Sequence, residues 1–204
     1  MSKLSEGIEE YDGLAVRLRV CLDRAWARLQ SLPPLELAST SARTKSNLVH
    51  DFLTEAVEAE FFNDDMAQFV ETRGLKHLTS EYVRIRFKKF NRRLLVASNR
   101  TSQSQSWIQI PMPGVTKVLS FTFGYRPDAL WSKIETAGLA LQVHDQVPWF
   151  LEVRPVEDFD SSDSEGTVTD FGDRQIKVKY HILKTRQAEL HEQSDFNAES
   201  LGES

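Results

Sequence analysis

The hydrophobic period of this chain changes once, after Gly74, and that change decides the class of fold. Upstream, Ile8, Tyr11, Leu14, Ala15, Leu18, Leu22, Ala25 and Leu29 recur in steps of three and four, which places them on one face of a helix over Ile8–Leu32. Pro33-Pro34 stops it, because proline lacks the amide donor and disfavours helix in the residue before it. A short loop is expected over Leu35–Thr40. Ser41 then caps a second helix to about Phe62, with Leu48, Val49, Phe52, Leu53, Ala56 and Ala59 on its apolar arc. Downstream, Val83, Ile85 and Phe87 alternate with Tyr82, Arg84, Arg86 and Lys88, the pattern of a strand with one buried face.

Further strands are expected at Leu94–Ala97, Trp107–Ile110, Lys117–Phe123, Leu139–Val143, Trp149–Val153 and Ile176–Ile182. A short helix is expected over Asp128–Thr136, after Pro127, and a hairpin turn at His144-Asp145-Gln146. Asp158–Gly166 reads as a loop, and the polar, acidic residues 187–204 as a disordered tail following a single domain of residues 1–186. Helices first and strands later predict an α+β domain, two N-terminal helices packed on an antiparallel β-sheet.

With 204 residues, 40% of them hydrophobic, the chain is long enough for one real core. No apolar run reaches the roughly 18 to 20 residues of a membrane span, and Met1–Asp12 has no apolar stretch of a secretory signal, so a cytoplasmic protein with no membrane partner is expected. The single cysteine, Cys21, excludes an internal disulfide and a four-cysteine zinc site. The net charge of −5 hides an asymmetry: residues 1–100 carry 16 Lys/Arg and 14 Asp/Glu, residues 101–204 carry 9 and 16. Against that acidic whole stands one basic cluster, Arg84, Arg86, Lys88, Lys89, Arg92 and Arg93.

Two surfaces are candidates for function. Arg43, Asn47, His50 and Thr54, spaced by four, three and four, share the outer face of the second helix. An imidazole beside a guanidinium suits phosphate binding or proton transfer; a merely solvated polar face is the plain alternative. On the strand, Arg84, Arg86 and Lys88 share the face opposite Val83, Ile85 and Phe87. Like charges in such a row repel, and nucleic-acid phosphates would relieve them. Edge-strand protection, or pairing with Glu55, Glu58 and Glu60, would explain the row equally well. Phe87 and Phe90 are the aromatics nearest the cluster, with Phe87 facing inward on this register; Trp26, Trp107, Trp131 and Trp149 read as core.

Other chemistries lack their motifs. His-Asp occurs at His50-Asp51 and His144-Asp145, but no histidine precedes His50 to complete a metal-phosphohydrolase set, so no metal is expected. Gln175-Ile176-Lys177 only imitates a two-carboxylate nuclease strand, and there is no Gly-x-Ser-x-Gly elbow. Without a phosphate-binding glycine loop or dinucleotide fingerprint, no cofactor is implied.

Ser41-Ala42-Arg43-Thr44-Lys45-Ser46-Asn47-Leu48-Val49-His50-Asp51, then Arg86-Phe87-Lys88-Lys89, Pro113-Gly114, Gly124-Tyr125-Arg126 and Trp149 follow one another in an order similar to a family of small bacterial and prophage proteins. These are encoded beside a repressor with a helix-turn-helix and a zinc-peptidase domain, in toxin–antitoxin or phage-defence pairs of the RosmerTA kind. The resemblance spans about residues 40–155. It departs after the Lys-Lys pair, where acidic residues give way to Asn91-Arg92-Arg93, and it transfers no catalytic residue. It implies a toxin or defence effector, neutralised by a neighbour-encoded antitoxin or repressor and acting on RNA or DNA. Joined to the residues above, the enzymatic expectation is a metal-independent nuclease with His50 as general acid/base and Arg43, Asn47, Arg84, Arg86 and Lys88 holding phosphate. The alternative is a non-enzymatic interaction or regulatory partner.

Overall fold

The structure is a computed structural model that describes residues 2–72, 74–80, 83–96, 118–143, 146–155, 167–171 and 174–182. Three helices, α1 (Ser2–Gln30), α2 (Pro34–Ser39) and α3 (Ala42–Glu60), precede eight strands. These are β1 (Gln68–Thr72), β2 (Leu75–Thr79), β3 (Val83–Lys89), β4 (Leu119–Pro127), β5 (Ile134–Val143), β6 (Gln146–Pro155), β7 (Thr167–Phe171) and β8 (Arg174–Ile182). They form one sheet in the order β1-β2-β3-β4-β5-β6-β8-β7, so the α+β expectation holds. Among the described residues, no helix is long and apolar enough to cross a membrane.

Ser41 caps α3 as its sequence position implies, its hydroxyl accepting from the Thr44 amide at 3.1 Å. Leu18, Leu22 and Leu29 of α1 and Val49, Leu53 and Val57 of α3 bury against Ile85, Phe87, Phe123, Tyr125, Leu139 and Leu151. The alternation of β3 is therefore in the expected register, with Phe87 inward. Trp149 lies partly buried at the border of the same core, edge-on to Phe121 with 5.3 Å between ring centroids. The helices are laced by ions. Arg17 pairs with Glu60 and Asp64, Arg24 with Glu60, and Arg28 with Glu55.

The opposite face of the sheet is different. Arg86, Thr122, Thr136, Gln142 and Glu152 are all buried there, beside a smaller apolar cluster of Phe90, Val96, Ala140, Val147 and Phe150. The far end of the Phe90 ring reaches Gly124, where a β-carbon would meet it at 2.4 Å, so a larger residue there must push the ring aside.

Several local expectations are corrected. Leu35–Thr40 is not a loop: proline is well suited to the first helical position, so Pro34 starts α2 and Leu37 donates back to the Pro33 carbonyl at 2.9 Å. Asp128–Thr136 is not a helix. The Asp128 carboxylate accepts from the Ser132 and Lys133 amides, closing a turn, and Trp131 sits at φ 60°, which a right-handed helix cannot use. Of the expected strand Leu94–Ala97, residues 94–96 supply an isolated bridge, Phe90 to Val96, and Ala97 lies outside the described residues. β3 and β4 run parallel, one such pair in an otherwise antiparallel sheet, where a wholly antiparallel one was expected. β1, β2 and β7 were not anticipated. The expected strand Trp107–Ile110, the His144-Asp145 positions, the Asp158–Gly166 loop and the 187–204 tail lie outside the described residues.

Candidate nucleic-acid interface at the α3, β2 and β3 margin

β3 is an interior strand, flanked by β2 and β4, so its cations do not protect a sheet edge. Nor do the α3 carboxylates Glu55 and Glu60 serve them, since both are engaged by arginines of α1. Two of the ordinary explanations for the basic row thus weaken.

The row itself divides. Arg84 is half-buried and its Nε donates to the Ser120 hydroxyl at 2.6 Å; Arg86, only 3% exposed, donates to the Thr122 hydroxyl at 2.9 Å. The parallel register aligns these pairs, Arg84 with Ser120 and Arg86 with Thr122. Burial lowers the pKa of both arginines, and at Arg86 the adjacent Arg84 charge joins it to bring the value to about 10. These groups sit on the sheet face away from the helices.

Arg43, Asn47 and His50 project from α3 on the other side. Arg43 and Asn47 are exposed, His50 is half-buried, and Thr54 is fully buried with its hydroxyl donating to the Asp51 carbonyl at 3.0 Å. The stripe is therefore not an outer face; it turns progressively under the helix towards the sheet margin. The helix stripe and the Arg84/Arg86 pair do not meet in one cleft.

Lys88 connects the two. β2 pairs with β3 only over Arg84–Arg86, leaving the end of β3 open on that side. There the Lys88 charge acts on His50, and so does that of Lys76 from β2. Burial holds His50 below the ordinary histidine range, Lys88 pushes it the same way, Asp51 opposes, and Lys76 adds a smaller push. Burial, with Arg86 close by, likewise lowers Lys88. Neither lysine makes an ion pair among the described residues. The site thus presents a half-buried imidazole, its pKa lowered, in the field of two cations that make no ion pair among the described residues.

Lys76 was missed in the sequence because the β1–β2 hairpin was missed. Its signal was Gly74: Thr72 faces Leu75 across a two-residue turn in which Gly74 takes φ 76°. Cys21 is no nucleophile, since burial, with Glu60 nearby, pushes its thiol up to about 12. Among the described residues, no three His, Cys, Asp or Glu side chains gather as a metal-holding group. Comparison with known proteins finds no matching family model, no similar curated protein and no similar solved structure.

Proposed function

We propose that this chain is the effector of a toxin–antitoxin-like or phage-defence pair, acting on nucleic acid at the margin where α3 meets β2 and β3. The observation that carries the reading is a half-buried His50, its pKa lowered, in the field of Lys88 and Lys76, neither of which makes an ion pair among the described residues. A phosphate seated between the lysines would relieve their repulsion. A neutral imidazole beside it can take the proton of a ribose 2′-hydroxyl as that oxygen attacks the phosphorus. The imidazolium then returns a proton to the 5′-oxygen as the P–O5′ bond breaks, leaving a 2′,3′-cyclic phosphate and a free 5′-hydroxyl, a metal-independent cleavage of RNA. Lys88 and Lys76 would stabilise the charge that grows on the phosphate oxygens. Arg43 and Asn47, exposed two turns and one turn earlier on α3, are within the same stripe to hold a flanking phosphate. Arg84 and Arg86, held by hydroxyls across the sheet, position the strand and raise the local potential.

A second reading, a non-enzymatic partner of the neighbour-encoded protein, draws on Phe62 and Met66. They are 79% and 66% exposed next to the edge strand β1. Expression with and without the neighbouring gene separates the two. The enzymatic reading expects growth arrest and RNA cleavage that His50→Ala abolishes while single-stranded RNA binding persists. If His50→Ala acts like the parent and Phe62→Ser alone disrupts the pair, the interaction reading replaces it.

A further inference from the structure

The parallel pairing of β3 with β4 brings two turns together at their C-terminal ends, Phe90–Leu95 after β3 and Asp128–Trp131 after β4. Between them lies a cleft of about 790 Å³, within the size range of small-ligand sites. Both walls are held from behind. Asn91 Oδ1 accepts from the Arg93 and Leu95 amides at 2.7 and 3.1 Å. Asp128 binds Ser132 through both carboxylate oxygens, Gln30 of α1 donates to the Trp131 carbonyl at 2.7 Å, and the Trp131 indole stacks on Trp26 at 5.9 Å. Each turn contains one non-glycine residue in the left-handed region, Trp131 at φ 60°, which lines the cleft, and Leu94 at φ 59°, which stands behind the lining, the two such residues described. Backbone held in so unfavourable a region persists only where its surroundings impose it, and such positions concentrate at ligand sites.

The charges lining the cleft are unevenly engaged. Arg126 is taken by Glu135 and Thr136, both at 3.1 Å, and Asp128 by its own turn. Lys89 is poised over the Trp131 ring, 5.4 Å from its centroid, and Arg92 is exposed; neither makes an ion pair among the described residues. An ammonium point charge and a planar guanidinium fork facing one space suit a phosphate monoester, and the volume leaves room for the group that carries it.

We infer that this cleft is a second anion site, holding the phosphate of a nucleotide, free or at the end of an RNA strand, through Lys89 and Arg92. It is separate from the His50 margin and does not depend on catalysis there. Calorimetric titration of the full chain with inorganic phosphate, adenosine 5′-monophosphate, and a short oligoribonucleotide with or without a 5′-phosphate tests it. The double variant Lys89→Gln/Arg92→Gln should weaken the tightest of these ligands at least about tenfold. Arg93→Gln, which removes one positive charge one residue outside the cleft lining, should not. Tighter binding of the 5′-phosphorylated strand than of the mononucleotide supports the site with an RNA end as its source; the reverse supports it with a free nucleotide. Equal denaturation midpoints confirm that the variants fold. No binding of any probe, or binding that the double variant retains, overturns the inference.

Discussion

The cations of β3 and its neighbours belong to two environments. Arg84 and Arg86, in the half of the strand paired on both sides, are bound by the hydroxyls of Ser120 and Thr122, and Arg86 is almost wholly buried. Lys88, Lys89 and Lys76, where β2 and β3 part, make no ion pair among the described residues; the Lys88 charge acts on His50, and the Lys89 ammonium lies 5.4 Å from the Trp131 ring centroid. Charge inside a sheet must be satisfied by the fold, whereas charge at its rim is left for a partner. The interior pair should therefore govern stability, and the rim should govern binding.

The largest effect is expected inside. Arg86→Ala removes a buried side chain and leaves the Thr122 hydroxyl without its donor, which should cost about 2 to 4 kcal/mol in urea denaturation. A near-neutral stability combined with lost nucleic-acid binding would make Arg86 a contact residue and dissolve the distinction. Next in size is Gly124→Ala. Its new methyl meets the Phe90 ring, so a loss of about 1 to 3 kcal/mol is expected as the ring is displaced from the sheet. Stability unchanged by that variant would mean that the Phe90 turn is free to move, and the cleft beyond it with it.

A smaller effect follows from His50. Its folded pKa lies below the ordinary value of 6.5, so between those two points the unfolded chain binds the proton first. Stability should be flat above about pH 7 and fall as pH drops through 6.5 towards the folded pKa. Denaturation midpoints of the parent and His50→Gln should diverge over that window, with the variant lacking this component. Identical profiles would remove His50 from the buried, cation-flanked setting.

How far the sequence anticipated these regions depends on how local each signal is. Alternation at Val83, Ile85 and Phe87 sets the burial of β3, because period 2 with apolar partners has one solution. Ser41 and Pro33-Pro34 likewise mark their helix ends. Strand direction has no such local signal. Nothing in residues 83–89 and 119–127 distinguishes a parallel from an antiparallel pair, and with the parallel pairing went the cleft at the strand ends. β1 and β2 escaped because Gln68–Thr72 and Leu75–Thr79 are short and mixed in polarity, and Lys76 escaped with them. The stripe on α3 was found by its spacing. Its direction could not be, since Thr54 is as apolar in its packing as its hydroxyl is local in its bonding.

The central claim is that the rim charges, not the interior ones, meet the phosphates. It is tested most directly by the salt dependence of single-stranded RNA binding by the parent and by Lys76→Gln/Lys88→Gln. The account predicts that the double variant keeps its stability to within about 1 kcal/mol, since both lysines are only half-buried and neither makes an ion pair among the described residues. Its slope of log affinity against log salt should fall by between one and two phosphate contacts, each worth about 0.7 for a single strand. An unaltered slope in that variant, with the same protein still binding RNA, would contradict it.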